Sequence, residues 1–300
     1  MKRILSALFA LLMCLTLISC AANDQTPAAS DKPLVVASVF PLYDFARVIC
    51  KDVCEVRLLL KSGTSAHAYE PTPQDLVLLS ECRIFFYVGG ESDEALETML
   101  SSLDRTNSRK LLDAVSPIAE ADDPAHADEH IWTSPKCAIQ LVEAICEDLC
   151  ALFPESAQSF RDNRDAYLAR LNELDEGFTQ FAAKNPTLVF ADRFPFAYLA
   201  RDYGLSCLAA SEGCGEENWP SAAKISEIIE FVKEKDLAAV FYTEAAGKPY
   251  AETVAAETGC EIAYLHACHN LTRAEADENL DYLTLMQRNL TLLNTFLFPD

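Results

Sequence analysis

Short, continuously apolar segments alternate with amphipathic segments along the chain from Leu34 onward. Segments rich in β-branched and aromatic residues predict six buried strands, three in each half of the chain: Leu34–Phe40, Glu55–Leu60, Ile84–Val88, Leu188–Ala191, Ala238–Tyr242 and Glu261–Leu265. Helical spacing predicts helices between or after them: Leu42–Lys51, Thr72–Cys82, Asp93–Leu103, Ala222–Lys235, Tyr250–Thr258 and Asn279–Leu297. Because apolar strands that alternate with helices form parallel sheets covered on both faces, the pattern predicts an α/β fold with two such sheets.

A long helical region lies between the two series of strands. Its apolar residues recur at spacings of three, four and seven, which predicts one continuous apolar stripe: Phe160, Tyr167, Leu171, Leu174, Phe178 and Phe181. A helix over Ala157–Phe181 would be about 37 Å long at 1.5 Å per residue, enough to brace two lobes. We therefore expect an N-terminal lobe over residues 34–134, a helical region over 135–185, a C-terminal lobe over 186–300, and a ligand in the cleft between the lobes.

The first 20 residues have the character of a secretory signal. Lys2 and Arg3 precede a short apolar stretch, and a small residue and a cysteine follow it. The last four residues, Leu17–Cys20, resemble the bacterial lipobox, in which the cysteine is lipidated and becomes the new N-terminus. Residues 21–33 carry no large apolar side chain, which is typical of a flexible tether. We expect an extracytoplasmic protein anchored to the outer face of the bacterial cytoplasmic membrane through Cys20; the alternative is an ordinary signal with a chance cysteine.

Charge and cysteine content narrow the classes of function. With 24 Lys and Arg against 46 Asp and Glu, the formal net charge is −22, which argues against general nucleic-acid binding and suits a surface that attracts cations. An extracytoplasmic location permits disulfides, although spacing does not fix their connectivity. The close pairs to test first are Cys50/Cys54, Cys207/Cys214 and Cys260/Cys268.

Three of the five histidines occupy predicted loops beside strand or helix ends. His67 follows the second strand, His130 precedes the helix that begins at Ser134-Pro135, and His266 directly follows the last strand. Imidazole is a common ligand of zinc, copper and nickel, whereas calcium and magnesium prefer oxygen. Because binding needs neutral imidazole, metal affinity should fall below a pH of about 6.5. The acidic segment Asp122–Glu129, just before His130, is expected to be a surface loop.

Two motifs resemble those of the metal-binding lipoproteins that serve zinc and manganese ABC importers, the cluster A-I type of solute-binding protein. Ala66–Asp75 (AHAYEPTPQD) resembles their P-H-x-Y-E-P-T-P-x-D signature, and Asp128–Pro135 (DEHIWTSP) resembles their D-P-H-x-W-x-x-P element, with Glu129 in place of proline. Shorter matches occur at Tyr87–Gly89, at Phe196–Tyr198 and in the C-terminal helix. The resemblance runs from about Leu34 to Leu297. It implies two α/β lobes joined by one rigid helix, with a single metal ion between them that takes two ligands from each lobe.

The resemblance also implies a ligand set. His67 and His130 correspond to the first-lobe pair. The third ligand of the family falls on Arg193, whose guanidinium offers no lone pair and stays charged, so it cannot be a ligand. The fourth, an aspartate after the last strand, falls on His266, which moves the set toward nitrogen.

One coordination position is then left to fill. Glu244 matches a family glutamate at the cleft wall, Asp192 competes with it, and water is the third option. Either carboxylate could instead orient an imidazole N–H. His269 is expected to lie too far along its loop, and His126 to be at most a weak metal-collecting residue.

These expectations together predict a monomeric, lipid-anchored receptor, not an enzyme, that captures Zn²⁺ and delivers it to a membrane ABC permease, with Mn²⁺ as the alternative ion. A zinc metallohydrolase is a second reading, because an open zinc position on three histidines can activate water. The chain lacks H-E-x-x-H, G-x-S-x-G and a glycine-rich phosphate loop, which disfavours that reading. A third reading is an adhesin or structural lipoprotein whose metal stabilises the fold, so that the fold would be lost with the ion.

Overall fold

Within the residues that the computed structural model describes (31–64, 69–103, 107–120, 126–211, 220–243 and 246–298), eight short strands form two parallel sheets. The first sheet has the order β2-β1-β3-β4, with β1 Leu34–Ala37, β2 Glu55–Leu58, β3 Ile84–Tyr87 and β4 Ser108–Lys110. The second has the order β6-β5-β7-β8, with β5 Thr187–Phe190, β6 Ser206–Ala209, β7 Ala239–Tyr242 and β8 Glu261–Tyr264. Each sheet has a point at which the strand order reverses, and α/β folds bind ligands beyond the carboxyl ends of the strands there.

The helices flank the two sheets and connect them. In chain order they are α1 Phe40–Cys50, α2 Pro73–Glu81, α3 Glu94–Ser101, α4 Pro135–Leu152, α5 Ala157–Thr179, α6 Ala197–Tyr203, α7 Ala222–Lys235, α8 Lys248–Thr258, α9 Arg273–Asp277 and α10 Tyr282–Leu297. Among the described residues, no helix is both long enough and apolar enough to cross a membrane.

Local sequence signals fix the start of the helix that follows the first histidine motif. Thr72 Oγ1 accepts a hydrogen bond from the Asp75 N–H, and Asp75 Oδ2 accepts one from the Thr72 N–H at 2.7 Å. This reciprocal pair is a capping box, and Pro73 in the first turn already has the φ angle that a helix needs. Thr72, the first residue of the helix that the sequence predicts, is therefore the N-cap of α2.

The apolar stripe of α5 forms the centre of the core. Its predicted residues are all buried, with Phe181 lying in the short helical turn after α5. The helix packs against α1, α4 and α10. One continuous apolar cluster joins this stripe to the inner faces of both sheets, from Val35 and Phe86 to Phe190 and Phe241. The two halves of the chain therefore share a core.

The structure departs from the predicted elements at their ends and at the sheet edges. β1 ends at Ala37 rather than Phe40, because Pro41 lies in the first turn of α1 and cannot donate to a sheet. The predicted C-terminal helix begins at Tyr282 rather than Asn279, whose φ of 54° separates α9 from α10. Strands β4 and β6 were not predicted at all, since Ser108–Lys110 and Ser206–Ala209 are short, only partly buried edge strands.

Replacing Phe178 of α5 by alanine should lower the free energy of unfolding by about 3–5 kcal/mol, because the side chain is fully buried and the cavity would be only partly refilled. Urea unfolding measures the loss. The matched control is Glu176→Ala on the exposed face of the same helix, which should change stability by no more than about 0.5 kcal/mol. Similar losses in the two variants would contradict a core centred on this stripe.

Candidate metal centre

His130 is fully buried, and Asp128 fixes the orientation of its ring. The ring Nδ1 lies 2.9 Å from Asp128 Oδ1, which also accepts the His130 backbone N–H at 2.8 Å. Because a carboxylate only accepts hydrogen bonds, Nδ1 carries the proton and Nε2 carries the lone pair. A carboxylate that holds one imidazole nitrogen while the other offers its lone pair is the usual arrangement around a metal-binding histidine.

The segment before His130 is more buried than expected. Asp128 and Glu129 are 8% and 6% exposed, so the expectation of a surface loop over Asp122–Glu129 is wrong at its C-terminal end, while residues 121–125 lie outside the described residues. Glu129 Oε1 accepts the Ser92 N–H at 2.6 Å, and a side chain at Gly90 would overlap with Glu129. Burial raises the pKa of Glu129, against the opposing effects of Ser92 and His130.

His269 lies directly against His130. The two ring centroids are 4.6 Å apart with the rings nearly perpendicular, and the Trp132 ring lies 5.3 Å from that of His269. The Trp132 indole N–H donates to the carbonyl of Ala267 at 2.8 Å, and the Phe40 N–H donates to the carbonyl of His269 at 3.3 Å. The expectation that His269 lies too far along its loop is therefore wrong. The sequence carries one signal that points to it, the His-x-x-His spacing from His266, but a loop has no periodicity to say which ring turns inward.

Protein groups face both ring nitrogens of His266. Its Nδ1 accepts the Cys268 backbone N–H at 2.9 Å, and its Nε2 lies 3.4 Å from Glu275 Oε1. The side-chain amide of Asn289 also holds the His266 backbone, accepting its N–H at 2.9 Å and donating to its carbonyl at 2.8 Å. His266 would have to give up one of these contacts to bind a metal, so this arrangement favours a role in holding the loop.

The carboxyl end of β5 leads into two buried residues, Asp192 and Arg193. Asp192 Oδ2 accepts the Thr243 N–H at 2.8 Å and the Thr243 hydroxyl at 3.2 Å. A side chain at Gly247 would overlap with the Asp192 carboxylate. Asp192 thus stabilises the loop after β7. The same oxygen atom is then less available to bind a metal ion.

Several predicted site residues lie outside the described residues, namely His67, Glu244 and the lipid-attachment residue Cys20. Within the part of the chain that the structure describes, no group of three or more histidine, cysteine, aspartate or glutamate side chains is arranged to hold a metal ion. Among the described residues, the candidate site consists of the His130–His269 pair and the Asp128 carboxylate.

Comparison with known proteins identifies the family. The family model described as "ZnuA: Zinc-uptake complex component A periplasmic" matches residues 35–296. The chain belongs to this family. The resemblance to zinc and manganese importer receptors is thereby confirmed.

The chain is also similar to individual members of the family. Zinc-binding lipoprotein AdcA of Streptococcus pneumoniae is 30% identical over 98% of this chain, which spans 60% of the length of AdcA. The high-affinity zinc uptake system protein ZnuA of Bacillus subtilis is 28% identical, with 96% of each chain covered. The crystal structure of the Zn(II)-bound ZnuA-like domain of S. pneumoniae AdcA superimposes with a TM-score of 0.77 at 29% identity, covering 89% of this chain and 99% of that domain. The fold of two parallel sheets flanked by helices is confirmed.

The contact between His266 and Glu275 should make the free energy of unfolding vary with pH in the acidic range. His266, followed by the Thr272 N–H and hydroxyl, holds the pKa of Glu275 down at about 2. A carboxyl whose pKa is lower in the folded chain contributes stability above its unfolded pKa of about 4.3, and loses that contribution as the pH falls toward 2. Glu275→Gln should therefore be less stable than the parent at pH 7, with a gap that narrows between pH 4.5 and pH 2.

Chemical denaturation across that pH range measures the gap. Glu278→Gln, an exposed position beside the same helix, is the control and should show no such convergence. A stability difference for Glu275→Gln that does not change with pH would contradict the charged contact with His266.

Proposed function

We propose that this chain is an extracytoplasmic receptor that captures one Zn²⁺ ion and delivers it to an ABC permease, with Mn²⁺ as a weaker ligand. The lipid attachment at Cys20, the monomeric state, the absence of enzymatic activity and the domain boundaries given above belong to the same proposal. The zinc-binding and zinc-uptake proteins to which the chain is similar support it.

One observation carries the proposal. His130, with its Nδ1 held by Asp128, presents its ring to His269 at a centroid distance of 4.6 Å. Two imidazoles from different halves of the chain thus lie close enough for one cation between or beside them, and the carboxylate raises the basicity of the first. We infer that His269, rather than His266, is the metal ligand from the loop after β8.

His67 completes the set in this proposal. Tyr69, two residues after it, lines a small cavity together with Trp132 and His269, which supports the approach of the His67 segment to the same place. The fourth position falls to Glu244 or to water, because Asp192 is engaged with Thr243.

The proposed donors favour zinc over manganese. A set of three imidazoles suits tetrahedral Zn²⁺, whereas Mn²⁺ is better served by carboxylates and water. The ion is cargo, so the same protonation that weakens binding at low pH offers a route to release. Because zinc binds the neutral ring, affinity should fall as the pH drops below about 6.5.

Metal titration of histidine variants tests the ligand set. His130→Ala and His269→Ala should each weaken Zn²⁺ binding by at least about 100-fold, the upper end of the loss seen when a residue that only orients a ligand is removed. Each variant should remain folded, because the shared core does not involve the metal. Isothermal calorimetry in a chelating buffer measures the affinity, and circular dichroism checks the fold.

Two further variants and a second metal sharpen this titration. His126, which is partly exposed, is the control. Its Nε2 lies 3.8 Å from Glu94 Oε1, and His126→Ala should leave the Zn²⁺ affinity unchanged. His266→Ala should cost stability more than affinity. Loss of binding in His266→Ala with normal binding in His269→Ala would reverse our assignment, and tighter binding of Mn²⁺ than Zn²⁺ in direct competition would overturn the choice of ion.

Asp128→Asn tests the orienting carboxylate. Asparagine keeps a hydrogen-bond acceptor for His130 Nδ1 but loses the negative charge, so zinc affinity should fall by about 10–100-fold while the melting temperature stays nearly the same. Asp113→Asn, an exposed position in the same half, is the control. An unchanged affinity in Asp128→Asn would mean that the carboxylate serves only to fold the segment.

A further inference from the structure

Four cysteines gather in the core, away from the candidate metal centre. Cys50 ends α1 and Cys54 precedes β2, and their side chains are 0% and 3% exposed. Cys146 and Cys150 lie one turn apart on α4, with their sulfur atoms 3.9 Å apart. Cys50 also interacts electrostatically with Cys146, so the two pairs adjoin each other.

From this geometry we propose that Cys50 and Cys54 form a buried disulfide in the secreted protein, closing the turn between α1 and β2. Both are free thiols in this structure, they interact with each other across that turn, and they lie in the same buried apolar cluster. The turn itself is tightly fixed: the Val53 N–H donates to the Cys50 carbonyl and the Lys51 N–H donates to the Arg47 carbonyl, each at 2.9 Å. An extracytoplasmic site permits the bond.

The other pairings are less suitable. Cys146 and Cys150 sit four residues apart on a continuous helix, where a disulfide would need the backbone to move. The Cys150 thiol donates to the Ala157 carbonyl at 3.4 Å. Of the other close pairs in the sequence, Cys214 lies outside the described residues, and the Cys268 thiol donates to the His266 carbonyl at 3.6 Å.

The proposed bond would form by thiol–disulfide exchange. A low-molecular-weight or protein disulfide in the secretory compartment accepts two electrons and two protons, so that two thiols and one external disulfide give the Cys50–Cys54 bond and two external thiols. Attack requires a thiolate. The interaction with Cys54, followed by burial, raises the pKa of the Cys50 thiol, and burial raises the pKa of the Cys146 thiol to about 12. The bond therefore forms while the chain folds and is afterwards shielded from reductants.

Peptide mapping tests the proposal, because trypsin cuts between the two cysteines at Lys51. The full chain is secreted into an oxidising compartment, denatured in iodoacetamide without reductant, and digested. We expect peptide 48–51 (VICK) joined to peptide 52–57 (DVCEVR), two hydrogens lighter than the sum of the free peptides, and released by reduction. Cys54→Ser should abolish the joined species and make Cys50 alkylatable, whereas Cys82→Ser should leave it intact.

Each other outcome contradicts the proposal. Free alkylation of both peptides would show a dithiol, and peptide 48–51 joined to peptide 137–161 would show a bond from Cys50 to Cys137, Cys146 or Cys150. Alkylation that appears only after chelation would show a metal held by the thiols. Zinc titration of Cys50→Ser/Cys54→Ser keeps the inference separate from the proposed function, since we expect its zinc affinity to equal that of the parent whether or not the disulfide is found.

Discussion

The hydrogen bond from the Trp132 indole to the Ala267 carbonyl joins the two halves of the molecule at the candidate site. Both partners are buried, and a buried donor left without its acceptor costs about 1–3 kcal/mol, so this contact holds the loop after β8 in one position. The Tyr282 hydroxyl donates to the Trp132 carbonyl at 2.6 Å and fixes the same residue from α10. His130 and His269 are neighbours because these contacts place their backbones side by side.

The loop that carries His269 is held on both sides of the histidine. Upstream, Asn289 clamps the His266 backbone; downstream, the Gly63 N–H donates to the Leu271 carbonyl, and the Asn270 amide donates to the carbonyls of Lys61 and Thr64. A histidine side chain on a loop held this firmly would lose little conformational freedom on binding an ion. The same contacts, with the core that both sheets share, oppose a wide rotation of one half of the chain against the other.

The fold followed from the sequence where one physical rule dominates, whereas the contacts of the loop histidines did not, because several interactions compete there. The apolar stripe from Phe160 to Phe181 depends only on helical periodicity and burial. The start of α2 depends only on a capping side chain at Thr72, so both are predictable from the sequence. The edge strands β4 and β6 are not predictable in this way. An edge strand pairs through backbone hydrogen bonds and does not need a pattern of apolar side chains. The choice between His266 and His269 depends on which backbone and carboxylate groups a folded loop brings to each ring, and neither spacing nor composition encodes that. The sequence singles out His130 because its motif, unlike the loop after β8, is continuous in sequence.

The buried acidic residues around the His130 segment would balance the charge of an ion in the proposed metal centre. Neutral imidazoles cannot offset a divalent ion, and a charge in a low-dielectric interior is costly unless opposite charge lies near it. Asp128 and Glu129 bring carboxylates into that interior, and Asp93 adds a third beside Glu129, with burial raising its pKa to about 7. A cation near His130 would favour the ionised forms of Asp93 and Glu129.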